Sequence, residues 1–222
     1  MENKYIKGVI LDMDGVIVDS EEHHFEAWRQ LSIRHGLNLS DQDIKKDFGR
    51  RNRDVLGEVF ERELSEEEIQ DLDDEKEALY RELHRSNIKP APGLMQFLAN
   101  LKGSEIKTAI GSSAPLANIE FVMDSLGLSP WIDAFAHSGM VQKGKPDPEI
   151  FLKAAELIGI SPEDCVVFED SFPGIQAGLS AGMKVIAVAT THPENELGIA
   201  HGVVKDFQSL GKKGMEEILG YR

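Results

Sequence analysis

Short apolar runs at 8–11, 106–110, 165–168 and 185–188 punctuate the chain, and none shows the strict alternation of a half-exposed strand. Uninterrupted runs of this length, separated by helical patterns, predict buried strands of a parallel sheet covered on both faces. Residues 134–136 and 203–204 are weaker strand candidates. Between the runs, Leu116, Ile119, Val122, Met123 and Leu126 share one helical stripe, and Ile150, Phe151, Ala154, Leu157 and Ile158 share another. Pro115 and Pro148 stand near the predicted helix starts, where a missing amide hydrogen matters least. The expected core is α/β, a doubly wound parallel sheet.

One stretch breaks the alternation. From 21 to 86 the pattern is helical only: Phe25, Trp28 and Leu31 suggest one amphipathic helix, and Val55, Val59 and Phe60 another. Residues 87–93, with Pro90, Pro92 and Gly93, then read as a linker. The prediction is an inserted all-helical cap over 19–89, hinged near 19–20 and 87–93, on a core of 1–18 and 90–222. There are no internal repeats.

With 222 residues the chain can form such a core with a modest second domain. Its net charge of −15 argues against nucleic acid and anionic membrane surfaces as partners. Slightly over half of that excess lies in 61–77, ten acids against Arg62 and Lys76, which reads as a solvated helical face. The single cysteine, Cys165, sits in an apolar run and reads as a buried small hydrophobe. No run approaches the roughly 18 apolar residues of a membrane span. Residues 1–5 lead straight into the first strand, leaving no room for a signal peptide, so a cytoplasmic protein is expected. A monomer is expected as well.

The most informative stretch is Asp12-Met13-Asp14-Gly15-Val16, directly after the first apolar run. Two carboxylates at the end of a buried strand are costly without a cation, and a divalent metal is the natural partner for oxygen ligands. With Mg²⁺ and a phosphate, one aspartate can act as nucleophile and the other as general acid/base. The bland reading is a strand-end turn shaped by Asp and Gly. Three further pieces reduce its weight: Ile110-Gly111-Ser112-Ser113, Lys143-Gly144-Lys145-Pro146-Asp147-Pro148 and Val167-Phe168-Glu169-Asp170-Ser171. Each lies near a predicted strand end, where open α/β sheets gather ligands. Singly, each has an ordinary alternative: an N-cap for Ser112 or Ser113, a surface lysine in a proline turn, a solvated strand terminus.

Together the four pieces resemble the haloacid dehalogenase superfamily of phosphotransferases, and its branch similar to β-phosphoglucomutase, over essentially the full length. The resemblance implies that Asp12 attacks phosphorus to form an aspartyl-phosphate, with Asp14 as general acid and then base. It implies Mg²⁺ held by Asp12, Glu169, Asp170 and the Asp14 backbone carbonyl, and phosphate gripped by Ser112, the amides around Ser113, and Lys145.

The cap selects the acceptor: water in a phosphatase, a sugar hydroxyl in a mutase. The segment 22–28 is similar to the mutase's first cap helix, with His24 in the place of a histidine assisting the general acid. Ser20 keeps a hinge hydroxyl, and Lys76 matches a cap lysine. Other positions depart. Asn52 stands, three residues after Gly49, where the mutase has an arginine for the non-transferring phosphate, with Arg50, Arg51 and Arg53 around it. Ala114 and Pro115 replace serine and lysine contacts, and Asn118 is displaced from its counterpart. The expectation is a phosphatase of small phosphate monoesters, sugar phosphates foremost, with β-phosphoglucomutase as the alternative. A dehalogenase would need neither Asp14 nor the Glu169-Asp170 pair. A non-catalytic scaffold would tolerate changes at Asp12, Asp14, Lys145 and Asp170, and none is disabled here.

Overall fold

The computed structural model describes residues 6–37, 39–46, 50–60, 62–208 and 210–220; residues 1–5, Gly49 and Glu61, used in the sequence reading, lie outside them. Strands β1 (Gly8–Leu11), β2 (Lys107–Gly111), β3 (Ala134–Ala136), β4 (Cys165–Glu169), β5 (Lys184–Val188) and β6 (Gly202–Val204) form one sheet in the order β3-β2-β1-β4-β5-β6. Every pairing is parallel. Successive side chains go to opposite faces. Val9, Leu11, Ile110, Val166, Phe168, Ile186 and Val188 enter one hydrophobic cluster; Ile10, Ala109, Val167, Val185 and Ala187 enter the other. Both faces are covered, so polar residues in the central strands are confined to strand ends and to Thr108 near the start of β2. β3 and β6 are the sheet edges and only partly buried, which is why their runs are short.

Between β1 and β2 the chain forms α1 (Glu21–His35), α2 (Asp41–Lys46), α3 (Asn52–Val59), α4 (Glu66–His84) and α5 (Leu94–Gly103). The first four make the helical cap. Trp28, Leu31, Ile44, Val55, Leu56 and Leu72 bury their own cluster, separate from those on the sheet. Local chemistry sets the ends: Gly36 closes α1 at φ +66°, and Ser65 with Glu68 forms a reciprocal capping box on α4. The two connections to the core run side by side, with Val18 bridged to Pro90 and the Ala91 amide donating to the Ile17 carbonyl at 2.8 Å. Helices α6 (Leu116–Leu126), α7 (Glu149–Ile158), α8 (Phe172–Ser180) and α9 (Lys212–Ile218) complete the core.

Two expectations need correction. The acid-rich stretch is not solvated throughout: Glu66, Glu67, Asp71 and Asp74 are exposed, but Glu77 is 4% exposed. Lys76 and Glu77 sit on the inward face of α4 with Leu72, Leu79 and Tyr80. Nor does Ser112 or Ser113 cap α6; Pro115 holds that position and makes no side-chain cap. Cys165 is buried, and burial pushes its thiol up to about 12. Among the described residues no helix is long and apolar enough to cross a membrane.

Candidate active site

Strand order reverses around β1, so the ends of β1 and β4 open a crevice at the point where α/β sheets take ligands. Asp12 follows β1, its amide donating to the Phe168 carbonyl at 3.0 Å. Glu169 ends β4 and Asp170 follows it. Ligand oxygens of these three buried carboxylates lie within 4.8 Å of one another. Lys145, in a loop whose Lys145–Pro146 peptide is cis, places Nζ 2.6 Å from Asp12 Oδ1 and 2.6 Å from Glu169 Oε1. The Phe151 ring lies 4.8 Å from the same ammonium. Glu169 Oε2 accepts from the Ser171 amide at 2.7 Å and hydroxyl at 3.0 Å; Thr191 donates to Asp170. Two glycines make room. A Cβ on Gly15, at φ +80°, would overlap the Asp170 carboxylate, and one on Gly174 would overlap Glu169.

Three carboxylates thus share one ammonium. Burial pushes Asp12 up to about 7, against the pull of Lys145 and with Glu169 and Asp14 adding repulsion. Burial, then Glu169 and Asp12, likewise raise Asp170 well above the carboxylate range. Burial would strip the Lys145 proton, but Asp12 and Glu169 hold it more firmly than usual. This excess of buried, hard oxygen donors fits Mg²⁺, and Asp12, Glu169 and Asp170 are the side chains that would hold it. The Asp14 side chain is not among them.

Asp14 turns instead toward the cap. Its Oδ1 accepts from Ser20 Oγ at 2.7 Å and Tyr80 OH at 3.4 Å, and lies 3.1 Å from His24 Nε2. Lys76 Nζ sits 2.6 Å from His24 Nδ1, so Nδ1 accepts and Nε2–H is left to donate to Asp14. Burial opposes the charge on Asp14, but His24, Ser20 and Lys76 outweigh it and hold the carboxyl at about 2. Lys76 also pairs with Glu77 at 2.8 Å. Asn52 donates to Glu77 at 2.5 Å and to Asp73 at 2.7 Å, and Asn118 of α6 donates to the other Glu77 oxygen. Burial again opposes, yet the Lys76 charge and the hydrogen bonds from Lys76 and Asn118 keep Glu77 below its usual value.

Ser112 is buried after β2, its hydroxyl accepting from the Ala114 amide at 3.1 Å. Ser112 and Ser113 line a cavity of about 50 Å³ together with Asp12, Asp14, His24, Lys76 and Glu77. That is room for a few waters. His24 and Lys76 line this cavity and Ser20 reaches Asp14 beside it, whereas Arg51 and Arg53 are not in its lining. They border a neighbouring groove of about 620 Å³. Arg51 pairs with Asp54 at 2.8 Å and donates to the Gln142 carbonyl at 3.0 Å, while Arg53 pairs with Glu66 at 2.6 Å. Sequence reasoning missed Glu77, Tyr80 and Thr191. For Tyr80 the signal was present, because it shares a helical stripe with Leu72, Lys76 and Leu79, whereas Glu77 lies off that stripe.

Comparisons with known proteins identify the family. The model of the haloacid dehalogenase-like hydrolases matches residues 6–182. The chain is 34% identical to the phosphorylated carbohydrates phosphatase of Thermotoga maritima, over 82% of this chain and 84% of that protein. It is also 34% identical to the β-phosphoglucomutase of Bacillus subtilis, over 85% of each. The crystal structure of β-phosphoglucomutase from Clostridium difficile superposes with a TM-score of 0.87 at 30% identity, covering 97% of both chains. A buried carboxylate cluster at the ends of β1 and β4, beneath a helical cap, on a chain matched over most of its length, makes this protein an enzyme of the haloacid dehalogenase-like hydrolase family.

Proposed function

We propose that the enzyme is a Mg²⁺-dependent phosphatase of small phosphate monoesters, sugar phosphates foremost, working through an aspartyl-phosphate at Asp12. The observation that carries this reading is the convergence of Asp12, Glu169, Asp170 and Lys145 in one buried cluster, with Asp14 held beside it from the cap. When bound, Mg²⁺ supplies positive charge that offsets the repulsion between an anionic nucleophile and a phosphate dianion.

The chain's own residues divide the remaining work. Asp12 Oδ presents the nucleophile, and Lys145 lies against it to balance charge on the transferring group. The Ser112 hydroxyl and the amides around Ser113 supply donors to the phosphate oxygens. Asp14 donates a proton to the departing oxygen and later takes one from the attacking water. The incoming phosphate dianion raises Asp14 from its low resting value, because like charge disfavours ionisation. The cavity is too small for a sugar phosphate, so the cap opens for entry at the connections near 19–20 and 87–93. We assign 19–89 to that moving cap and 1–18 with 90–222 to the core.

A second reading, β-phosphoglucomutase, draws on the cap's hold on Asp14 through Ser20 and the Lys76–His24 pair. The loss of donors at Ala114 and Pro115, with Asn52 in place of an arginine, favours the phosphatase. The two are separated by mixing enzyme, Mg²⁺ and β-glucose 1-phosphate with a trace of the 1,6-bisphosphate. Release of inorganic phosphate, here and across a panel of monoesters, supports the phosphatase; accumulation of glucose 6-phosphate without it supports the mutase.

A further inference from the structure

The transferring phosphate must sit against the core, beside Asp12 and Lys145. The rest of the substrate is left to the cap wall of the same cavity, where Phe25, Trp28 and Val55 are apolar and Arg50, Asn52, Lys76 and Glu77 are polar. Both cations of that wall are already matched by a carboxylate. Arg50 lies 2.6 Å from Glu58, and Lys76 lies 2.8 Å from Glu77. The neighbouring arginines are matched too, Arg51 by Asp54 and Arg53 by Glu66.

Resting on the phosphatase reading, we propose that Glu77 restricts this enzyme to singly phosphorylated polyols. It does so by rejecting a second phosphate and accepting a substrate hydroxyl in its place. Glu77 is 4% exposed, so its charge is poorly screened. A second phosphate group carries about −1.5 to −2 at neutral pH. To bind, it would have to lie beside that carboxylate or break the buried Lys76–Glu77 pair. Both are unfavourable, since like charges juxtaposed in an interface cost affinity and a buried charge that loses its partner costs more.

A hydroxyl meets the opposite situation. A carboxylate offers about four acceptor positions. Lys76 and Asn52 occupy two on Oε1 and Asn118 one on Oε2, which leaves one on Oε2 for a substrate O–H. Asn52 contributes by what it is not. Its amide holds Glu77 and Asp73 together without adding the charge that a second phosphate requires.

The test compares kcat/KM for a hexose 6-phosphate and a hexose 1,6-bisphosphate in wild type, Glu77→Gln and Asn52→Arg. Wild type should favour the monoester by about tenfold or more, and each variant should shrink that preference about tenfold, mainly by gaining on the bisphosphate. A wild type that uses both esters equally, or a preference unchanged in both variants, overturns the proposal. Should either variant turn over neither ester, calorimetric binding of the two esters to Asp12→Asn protein, with and without Glu77→Gln, gives the same ratio independently of chemistry. A wild type that binds the monoester selectively but releases no phosphate would refute the phosphatase reading while leaving the Glu77 assignment standing. Equal binding of the two esters would refute the Glu77 assignment alone.

Discussion

Two buried charge clusters meet in the cavity, and their balances are opposite. On the core side, Asp12, Glu169 and Asp170 share the ammonium of Lys145, and Asp12 is driven up to about 7. On the cap side, Asp14 and Glu77 are served by Ser20, His24, Lys76, Asn52 and Asn118, and Asp14 is held at about 2. Burial penalises Asp12, Asp170, Asp14 and Glu77 alike; the donors and charges around each decide which way it moves. The core cluster therefore has carboxylates in excess of cations and could hold a divalent cation. The cap cluster is complete, and it positions and selects.

Breaking the core side at its nucleophile should have the largest effect. Asp12→Asn should lower kcat by about 10⁴-fold or more. The variant should stay folded by circular dichroism, because it removes an unbalanced buried charge rather than a needed one. Asp14→Asn comes next, with a drop of about 10²–10⁴-fold expected of a lost general acid/base. Its Mg²⁺ affinity, measured by calorimetry, should be unchanged, since Asp12, Glu169 and Asp170 remain. Loss of metal binding in that variant would merge the two clusters into one.

His24→Ala acts one contact further out. It removes the donor at 3.1 Å from Asp14 and leaves Lys76 without its imidazole partner. The carboxyl should then titrate higher, moving the alkaline limb of the kcat/KM profile upward because Asp14 enters the first transfer as an acid. Loss of the orienting contact should lower kcat/KM at its optimum by about tenfold.

The smallest effect is thermal. A folded pKa raised to about 7 means that Asp12 contributes stability fully present below the unfolded value near 4. That contribution is lost as pH rises through 7. Metal-free protein should therefore melt higher at pH 5 than at pH 8, and saturating Mg²⁺ should raise Tm at pH 8 by several degrees, at about 2–4 °C per kcal/mol for a chain this size. Asp14 runs the other way, contributing stability above about pH 4 that is lost toward pH 2.

The two clusters also differed in how far they could be read from sequence. Asp12, Lys145, Glu169 and Asp170 each follow or end a recognisable apolar run or proline loop, so topology alone delivers them to one crevice. The central strands were legible because burial on both faces leaves few polar interruptions. The edge strands β3 and β6 gave short signals because they are half-buried.

On the cap side, Glu77 was hidden among nine other acids in 61–77, most of which face solvent. Its partners come from α3, α4 and α6, and local periodicity does not encode such a meeting. Arg51 and Arg53, near Asn52 in sequence, line the groove that adjoins the cavity and are paired there with Asp54 and Glu66.

The central claim is that Asp12 becomes phosphorylated during turnover. Enzyme quenched in acid while consuming a monoester with Mg²⁺ should yield a phosphorylated peptide carrying Asp12, labile to base and absent from Asp12→Asn. Sustained phosphate release with no phosphate on Asp12 in the first turnover, or with it on another residue, would contradict the account.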